Sequence, residues 1–209
     1  MRNYRVNGVI DGIAFLFCAN HSRYMVQSPK FWVDSAAISK LNVTGSSEIT
    51  ATWYLTLWAL NPNQILGIDY DNVEAILFYG DKGKSHKNML AWKRVSHPFY
   101  LSTRDLTTLE FELSTERAYV GEDVVKEILA GESSARFGLS LLVWYRHDID
   151  VYDLNEINFM RIFCDPIEFA VYPNVRMGKL TAHPMACKED FSPEHIKYWL
   201  LLKCSRQTI

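Results

Sequence analysis

Apolar and polar residues alternate strictly along the segment from Ile49 to Ala59. The apolar positions that this alternation places on one face are Ile49, Ala51, Trp53, Leu55, Leu57 and Ala59. The opposite face carries Thr50, Thr52, Tyr54 and Thr56. A period of two over this length is typical of a β-strand with one buried face. The pattern therefore predicts a strand whose apolar face lies in a protein core.

The same period recurs along the rest of the chain. It predicts further strands over Ile65–Tyr79, Leu109–Leu113, Phe137–Tyr145, Phe159–Cys164 and Ile167–Tyr172. The segment PKFWVDSAAISKLNV before the first strict strand is predicted to be extended, and the polar stretch GDKGKSHKN is predicted to be a hairpin loop. Because the connections are too short for βαβ crossovers, the pattern indicates an all-β antiparallel sandwich.

Two segments have helical periodicity instead. In GEDVVKEILAG, one face at helical spacing carries Val124, Val125, Ile128 and Leu129. Glu122 and Asp123 suit the positive N-terminal end of a helix, and Gly131 suits its stop. In SPEHIKYWLLLKC, near the end of the chain, Pro193 stands at a favoured first helical position. We therefore expect one short helix between the strands and one C-terminal helix.

Composition and charge narrow the class of protein. The chain has 209 residues, of which 48% are hydrophobic and 22% charged, so it can build a core. Its formal net charge of −2 disfavours a general nucleic-acid binder, which usually carries a basic face. The most apolar N-terminal run, GIAFLFCA, is shorter than the roughly 20 residues of a membrane-spanning helix.

The four cysteines are Cys18, Cys164, Cys187 and Cys204, and none belongs to a CxxC pair, which disfavours a zinc site. Cys164 ends one predicted strand, and Cys187 follows the next strand and its turn. A hairpin of that size can bring the two ends together, so a disulfide is one interpretation. Two buried free thiols are the other. We expect neither Cys18 nor Cys204 to pair.

Two triplets match the acceptor pattern for N-linked glycans. They begin at Asn20 and Asn42 and read Asn-His-Ser and Asn-Val-Thr. Such triplets also occur by chance, and they matter only where the chain is secreted or faces the cell exterior. Asn20 and Asn42 are therefore candidate glycosylation sites.

The first strict strand ends at Asn61, Pro62 and Asn63. Asparagine side chains can bond the nearby backbone, and proline fixes φ, so the triplet suits a corner between two strands. Loops also carry recognition surfaces, which is the alternative role. We interpret Asn61, Pro62 and Asn63 as a structural turn motif.

Candidate catalytic or metal-binding patterns are weak. The six histidines show neither an HExxH spacing nor a Ser-His-Asp order, so no enzyme, catalytic residue or cofactor is predicted. RHDIDVYDLNE is rich in carboxylates but lacks the calcium-loop spacing, which favours a solvated loop over a metal site. SHKNMLAWKR is basic; it can touch anionic lipid head groups or form an ordinary solvated hairpin.

Several pieces of the chain, taken in order, resemble the plant late-embryogenesis-abundant type-2 family, in its harpin-induced, disease-resistance-associated branch. They are FWVDSAAISKLNV, LNPNQILGIDYDNVEAILFYG, HPFYLSTRDLTTLEFEL, the short helix and MRIFCD. The resemblance covers roughly residues 29–187. It leaves residues 1–28 as an atypical N-terminal segment without a full membrane span, and residues 188–209 as an atypical C-terminal extension.

The resemblance implies an immunoglobulin-like or fibronectin-like β-sandwich without enzymatic activity. It also implies a role in plant defence or stress response, with the sandwich on the extracellular face of the plasma membrane. Membrane lipids or other membrane proteins are the partners to expect, and nucleic acid is not. Two alternatives remain open: a soluble, cytoplasmic stress-protective protein, and a lipid-binding module.

Overall fold

The computed structural model describes residues 26–79, 88–130, 134–148, 157–181 and 184–189. Within these ranges the strands are β1 Lys30–Thr44, β2 Glu48–Leu60, β3 Ile68–Tyr79, β4 Asn88–Ser96, β5 Phe99–Leu101, β6 Leu106–Tyr119, β7 Ser134–His147, β8 Asn158–Tyr172, β9 Met177–Leu180, β10 Met185–Ala186 and β11 Lys188–Glu189. Helix α1 covers Glu122–Ala130, and a 3₁₀ turn covers Pro173–Val175. The predicted C-terminal helix lies outside the described residues.

The strands form one antiparallel sheet that folds over on itself. Its strand order is β4-β3-β7-β8-β9-β1-β2-β6, with β5 added to β3, β10 to β1 and β11 to β8. The two end strands, β4 and β6, lie in contact without pairing, so the sheet is nearly closed into a barrel-like sandwich. The predicted all-β antiparallel sandwich with one short helix is confirmed.

The core lies between the two layers and matches the apolar positions that the alternation selected. In the strands that the alternation predicts, the buried residues include Trp53, Leu55, Leu57, Phe111, Leu139, Leu141 and Val143. Trp53 lies in this core. The centroid of its ring is 4.6 Å from that of Phe137 and 5.6 Å from that of Phe169. Its indole nitrogen donates to Thr115 Oγ1 over 2.9 Å, so this large buried side chain leaves no donor unsatisfied.

Several elements differ from what the pattern predicts: β3 begins at Ile68 and not at Ile65, and β9, β10 and β11 were not predicted. The alternation does not mark β4, because Leu90 and Ala91 are both buried where the β3–β4 register shifts, and this breaks the period of two. The two strands predicted on either side of Asp165 and Pro166 are one strand, β8. Proline is tolerated there because the ladder with β7 is interrupted opposite Gly138. Strand β5, of three residues, is too short to show a period.

Helix α1 buries only part of its predicted face. Val124, Val125 and Ile128 are buried, whereas Leu129 is 55% exposed. At about 100° per residue, Leu129 lies roughly 40° outside the arc that the other three occupy. A helix of nine residues that packs on β7 buries a narrow stripe, and Leu129 falls beyond it.

Candidate functional site

The most organised polar cluster in the described part of the chain is the corner that follows β2. Asn61 and Asn63 are almost fully buried, at 0% and 4% exposure. The Asn61 amide nitrogen donates to the backbone oxygens of Leu66 over 2.8 Å, Ser102 over 2.9 Å and Leu101 over 3.3 Å. Its amide oxygen accepts from both nitrogens of Asn63 over 2.9 Å. The side chain of Asn61 thus ties the end of β2 to the start of β3 and to β5.

Asn63 extends this cluster to the N-terminal side of the chain. Its amide oxygen accepts from the backbone nitrogen of Gln27 over 2.8 Å, and its amide nitrogen donates to the backbone oxygen of Gln27 over 2.9 Å. The Asn63 side chain thus satisfies both backbone groups of Gln27, which a neighbouring strand would otherwise do. Gln27, which belongs to the segment predicted to be atypical, is therefore hydrogen-bonded to the sandwich.

The amides of Asn61 and Asn63 are engaged by the chain's own backbone, which is the arrangement of a structural corner. Turn chemistry pointed to these residues, because asparagine often bonds the nearby backbone. It did not point to their distant partners, Gln27 and Ser102, which lie 36 and 41 positions away from the asparagines they contact. Nothing in the local sequence marks those partners, since only the fold brings them to the corner.

His147 lies at the same end of the sandwich, with its Nε2 atom 3.3 Å from the backbone oxygen of Gln27. Burial lowers the pKa of the His147 imidazole below its usual value, and the contact with Gln27 opposes part of this effect. Because the folded protein binds this proton less readily than the unfolded chain does, His147 favours folding above its ordinary pKa. That contribution is lost as the pH falls.

We expect the stability of the protein to decrease as the pH falls from about 7.5 to about 5.5, a range that spans the ordinary histidine pKa of about 6.5. Urea denaturation at each pH is the measurement. In His147→Gln the decrease should be smaller, because the group that resists protonation is gone. The exposed His97 gives the matched control, and His97→Gln should follow the wild type. Equal pH dependence in His147→Gln and the wild type would contradict this assignment.

Ser28 links the N-terminal residues to the last described strand. It forms side-chain hydrogen bonds with Tyr145 in β7 and with Glu189 in β11. Burial raises the pKa of both of these groups, and the bonds to Ser28 oppose the rise. Ser28 and Glu189 line a groove of about 430 Å³, whose wall also includes Trp32 and Met160. The two ends of the described chain are therefore fastened to the same end of the sandwich.

Cys164 and Cys187 form a disulfide, with their Cα atoms 4.3 Å apart. Cys164 is fully buried in β8, and Cys187 lies between β10 and β11. Strand β9 fills only part of the gap between β8 and β1; β10 pairs with β1 and β11 with β8 in the rest of it. The backbone nitrogen of Cys187 also donates to the oxygen of Phe31 over 3.0 Å. The disulfide thus fastens the last segment into this gap.

Removing the disulfide should destabilise the fold substantially. For a loop that closes over a separation of 23 residues, the chain-entropy estimate is about 3 kcal/mol. We expect the double variant Cys164→Ala/Cys187→Ala to lose about that much free energy of unfolding, measured by urea denaturation under oxidising conditions. The wild type in reductant should approach the variant. A double variant as stable as the oxidised wild type would show that the bridge does not support the fold.

The remaining sequence candidates are placed only in part. Asn42 is exposed on β1, whereas Asn20 lies outside the described residues. The structure describes only residues 146–148 of the acidic stretch RHDIDVYDLNE. It describes only residues 88–94 of the basic stretch SHKNMLAWKR. Strand β11, just after Cys187, pairs with β8.

Two kinds of site are not found in the described residues. The described residues contain no group of three or more His, Cys, Asp or Glu side chains arranged to hold a metal ion. The described part of the chain also has no helix with the length and hydrophobicity that crossing a membrane requires.

Comparisons with known proteins do not assign this chain to a family. No protein-family model matches it, and no curated protein does. Among solved structures, it is similar to a protein from Archaeoglobus fulgidus, with 14% identity, a TM-score of 0.31, and coverage of 64% of this chain and 93% of that one. It is also similar to a protein provisionally described as late embryogenesis abundant, with 13% identity, a TM-score of 0.37, and coverage of 81% and 86%. At these values neither similarity assigns a function.

The fold and its polar clusters define a class of protein. It is a disulfide-bridged antiparallel β-sandwich in which buried, hydrogen-bonded asparagines hold strand ends together.

Proposed function

We propose that the protein is a non-enzymatic β-sandwich of the late-embryogenesis-abundant type-2 kind, which acts in plant defence or stress response at the extracellular face of the plasma membrane. Membrane lipids or other membrane proteins are its partners in this proposal. The observation that carries it is the Cys164–Cys187 disulfide, because such bonds persist in oxidising compartments and are rare in the cytosol.

Two further observations support this compartment and this class. Asn42 is exposed, so its Asn-Val-Thr triplet is accessible to a glycosylating enzyme. The sequence pieces that resemble the type-2 family also fall on the central parts of the fold: FWVDSAAISKLNV lies in β1, and LNPNQILGIDYDNVEAILFYG contains the asparagine corner and β3.

The proposed absence of catalysis is supported by how the polar groups are used. Catalytic groups must be free to act on a substrate, whereas the side chains of Asn61 and Asn63 form hydrogen bonds within the chain itself. His147 is likewise placed against the backbone oxygen of Gln27. These groups serve the structure, which suits a protein that acts by binding.

The test is the redox and glycosylation state of the full chain expressed in plant cells. Thiols are blocked by alkylation before lysis, and peptides from secretory membranes are mapped without reduction. We expect a linked Cys164–Cys187 peptide, and a mass change at Asn42 after enzymatic removal of N-glycans. Asn42→Gln is the matched control, since it keeps the fold and removes the acceptor.

Labelling of surface proteins on intact cells completes the experiment, and the full chain should be recovered in the labelled fraction. Free thiols at both cysteines, together with a chain found in the cytosol, would contradict the extracellular proposal. That result would favour the soluble stress-protective alternative.

A further inference from the structure

A cleft of about 540 Å³ lies on the outer face of the layer formed by β9, β1, β2 and β6. Two rows of paired residues across the strands line it. In one row, Thr56 pairs with Ser35 on β1 and with Glu110 on β6. In the other, Ala37 pairs with Tyr54 on β2 and with Lys179 on β9. The volume is within the range of about 300–1,000 Å³ that is usual for small-molecule sites. The cleft lies apart from the asparagine corner and from the disulfide.

The wall of the cleft carries an aromatic ring with an open side. Tyr54 is 43% exposed on β2, and its ladder partner on β1 is Ala37, whose methyl group is too small to cover a ring. An exposed aromatic in a concave wall offers a flat apolar surface beside a polar hydroxyl. Such a surface suits a ligand with an apolar face and polar edges.

The polar side chains around Tyr54 are available for a ligand. Among the described residues, none provides a hydrogen bond or ion pair to the side chains of Ser35, Thr56, Glu110 or Lys179. They offer two hydroxyls, a carboxylate and an ammonium group within one cleft. This contrasts with the asparagine corner, where the amides bind the chain's own backbone.

The charges of the cleft select the class of ligand. Lys179 and Glu110 have opposite signs, and Glu112 adds a second carboxylate on the same face of β6. A polyanion would be repelled by the two glutamates, and a polycation by the lysine. Neutral ligands with many hydroxyl groups avoid both penalties and can use donors and acceptors of either kind.

A second aromatic side chain lies beyond the cleft along β2. Trp58 faces outward four residues after Tyr54 and is only partly buried, at a separation of about 13 Å along the strand. Two aromatic surfaces in line on one strand fit an elongated ligand better than a single small ring. The pyranose rings of a sugar chain have apolar C–H faces and hydroxyl edges, which match this arrangement.

We propose that this cleft binds a neutral oligosaccharide, laid along β2 with one sugar ring on Tyr54. Sugar hydroxyls hydrogen-bond to Thr56, Glu110 and Lys179, and the chain extends towards Trp58. Binding at this cleft goes beyond the function proposed above and does not depend on the compartment in which the protein resides.

The experiment is isothermal titration calorimetry of the full chain with cellohexaose, xylohexaose and mannohexaose, with glucose and trigalacturonate as comparison ligands. We expect at least one neutral hexasaccharide to bind, and to bind more tightly than either comparison ligand. Tyr54→Ala should raise the Kd by about tenfold, since the stacking surface is lost, and Tyr54→Phe should retain most of the affinity.

Tyr172→Ala is the matched control, because Tyr172 is 55% exposed on β8 and outside the cleft. It should leave the Kd unchanged, and thermal melting should show that each variant is folded. The proposal is overturned if no neutral hexasaccharide binds, if trigalacturonate binds more tightly than they do, or if Tyr54→Ala binds as the wild type does. Release of shorter sugars would support the cleft as a site while contradicting the non-enzymatic function.

Discussion

Asn61→Ala is expected to lower the free energy of unfolding by about 3–5 kcal/mol, because several buried groups lose their partners at once. The change removes the donor to the oxygens of Leu66 and Ser102 and the acceptor for Asn63. A buried polar group left without a partner costs about 1–3 kcal/mol, and water cannot easily replace a side chain that is 0% exposed. Urea denaturation at neutral pH measures the difference.

Asn61→Asp separates the two halves of this effect. The carboxylate keeps the acceptor for Asn63 but places a negative oxygen against the backbone oxygens of Leu66 and Ser102. We therefore expect it to be at least as destabilising as Asn61→Ala. Asn42→Ala, at an exposed position, is the control and should cost less than about 0.5 kcal/mol. A loss below about 1 kcal/mol in Asn61→Ala would show that the corner is not a structural centre.

Leu141→Ala is expected to cost about 2–5 kcal/mol of unfolding free energy, the range for a buried leucine truncated to leave a cavity. Leu141 is 0% exposed in β7, which pairs with β3 on one side and β8 on the other. A central strand between two partners cannot move inward to fill the space, so the cost should lie within this range.

Leu142→Ala gives the matched control for this cavity. Leu142 is the next residue along β7, and its side chain points to the outer face, where it is only partly buried. We expect it to cost less than half as much as Leu141→Ala in the same urea titration. Equal losses at the two positions would contradict the assigned register, because a shift by one residue exchanges the two faces of a strand.

The sequence alone was sufficient for the parts of the fold that depend on local periodicity. The alternation from Ile49 to Ala59 placed β2 and its buried face, and the same pattern placed β7. It failed where the backbone departs from a regular ladder, as at Leu90 and Ala91 in β4. Periodicity reports which side of a regular strand is buried, and a bulge changes that side within the strand.

The candidate sites divide in the same way. The two cysteines that form the disulfide were a candidate pair because of their spacing, with two free thiols as the alternative, and only the structure decides between these. The oligosaccharide cleft was not predicted, since Ser35, Tyr54 and Lys179 belong to three different strands and none of them is unusual in its own segment. A site built across a sheet has no signature in any one strand.

What the sequence by itself determined is the all-β class, the core positions and the corner at Asn61 and Asn63, because each depends on residues close together in the chain. Only the tertiary structure decided what those residues contact. It placed Asn63 against Gln27 and filled the gap between β8 and β1 with the last two short strands. It also placed Lys179 and Tyr54 on opposite sides of Ala37 in β1. The physical reason is that these partners lie far apart in sequence. The choice among distant partners is made by the burial and hydrogen bonding of the whole sheet, which no local pattern encodes.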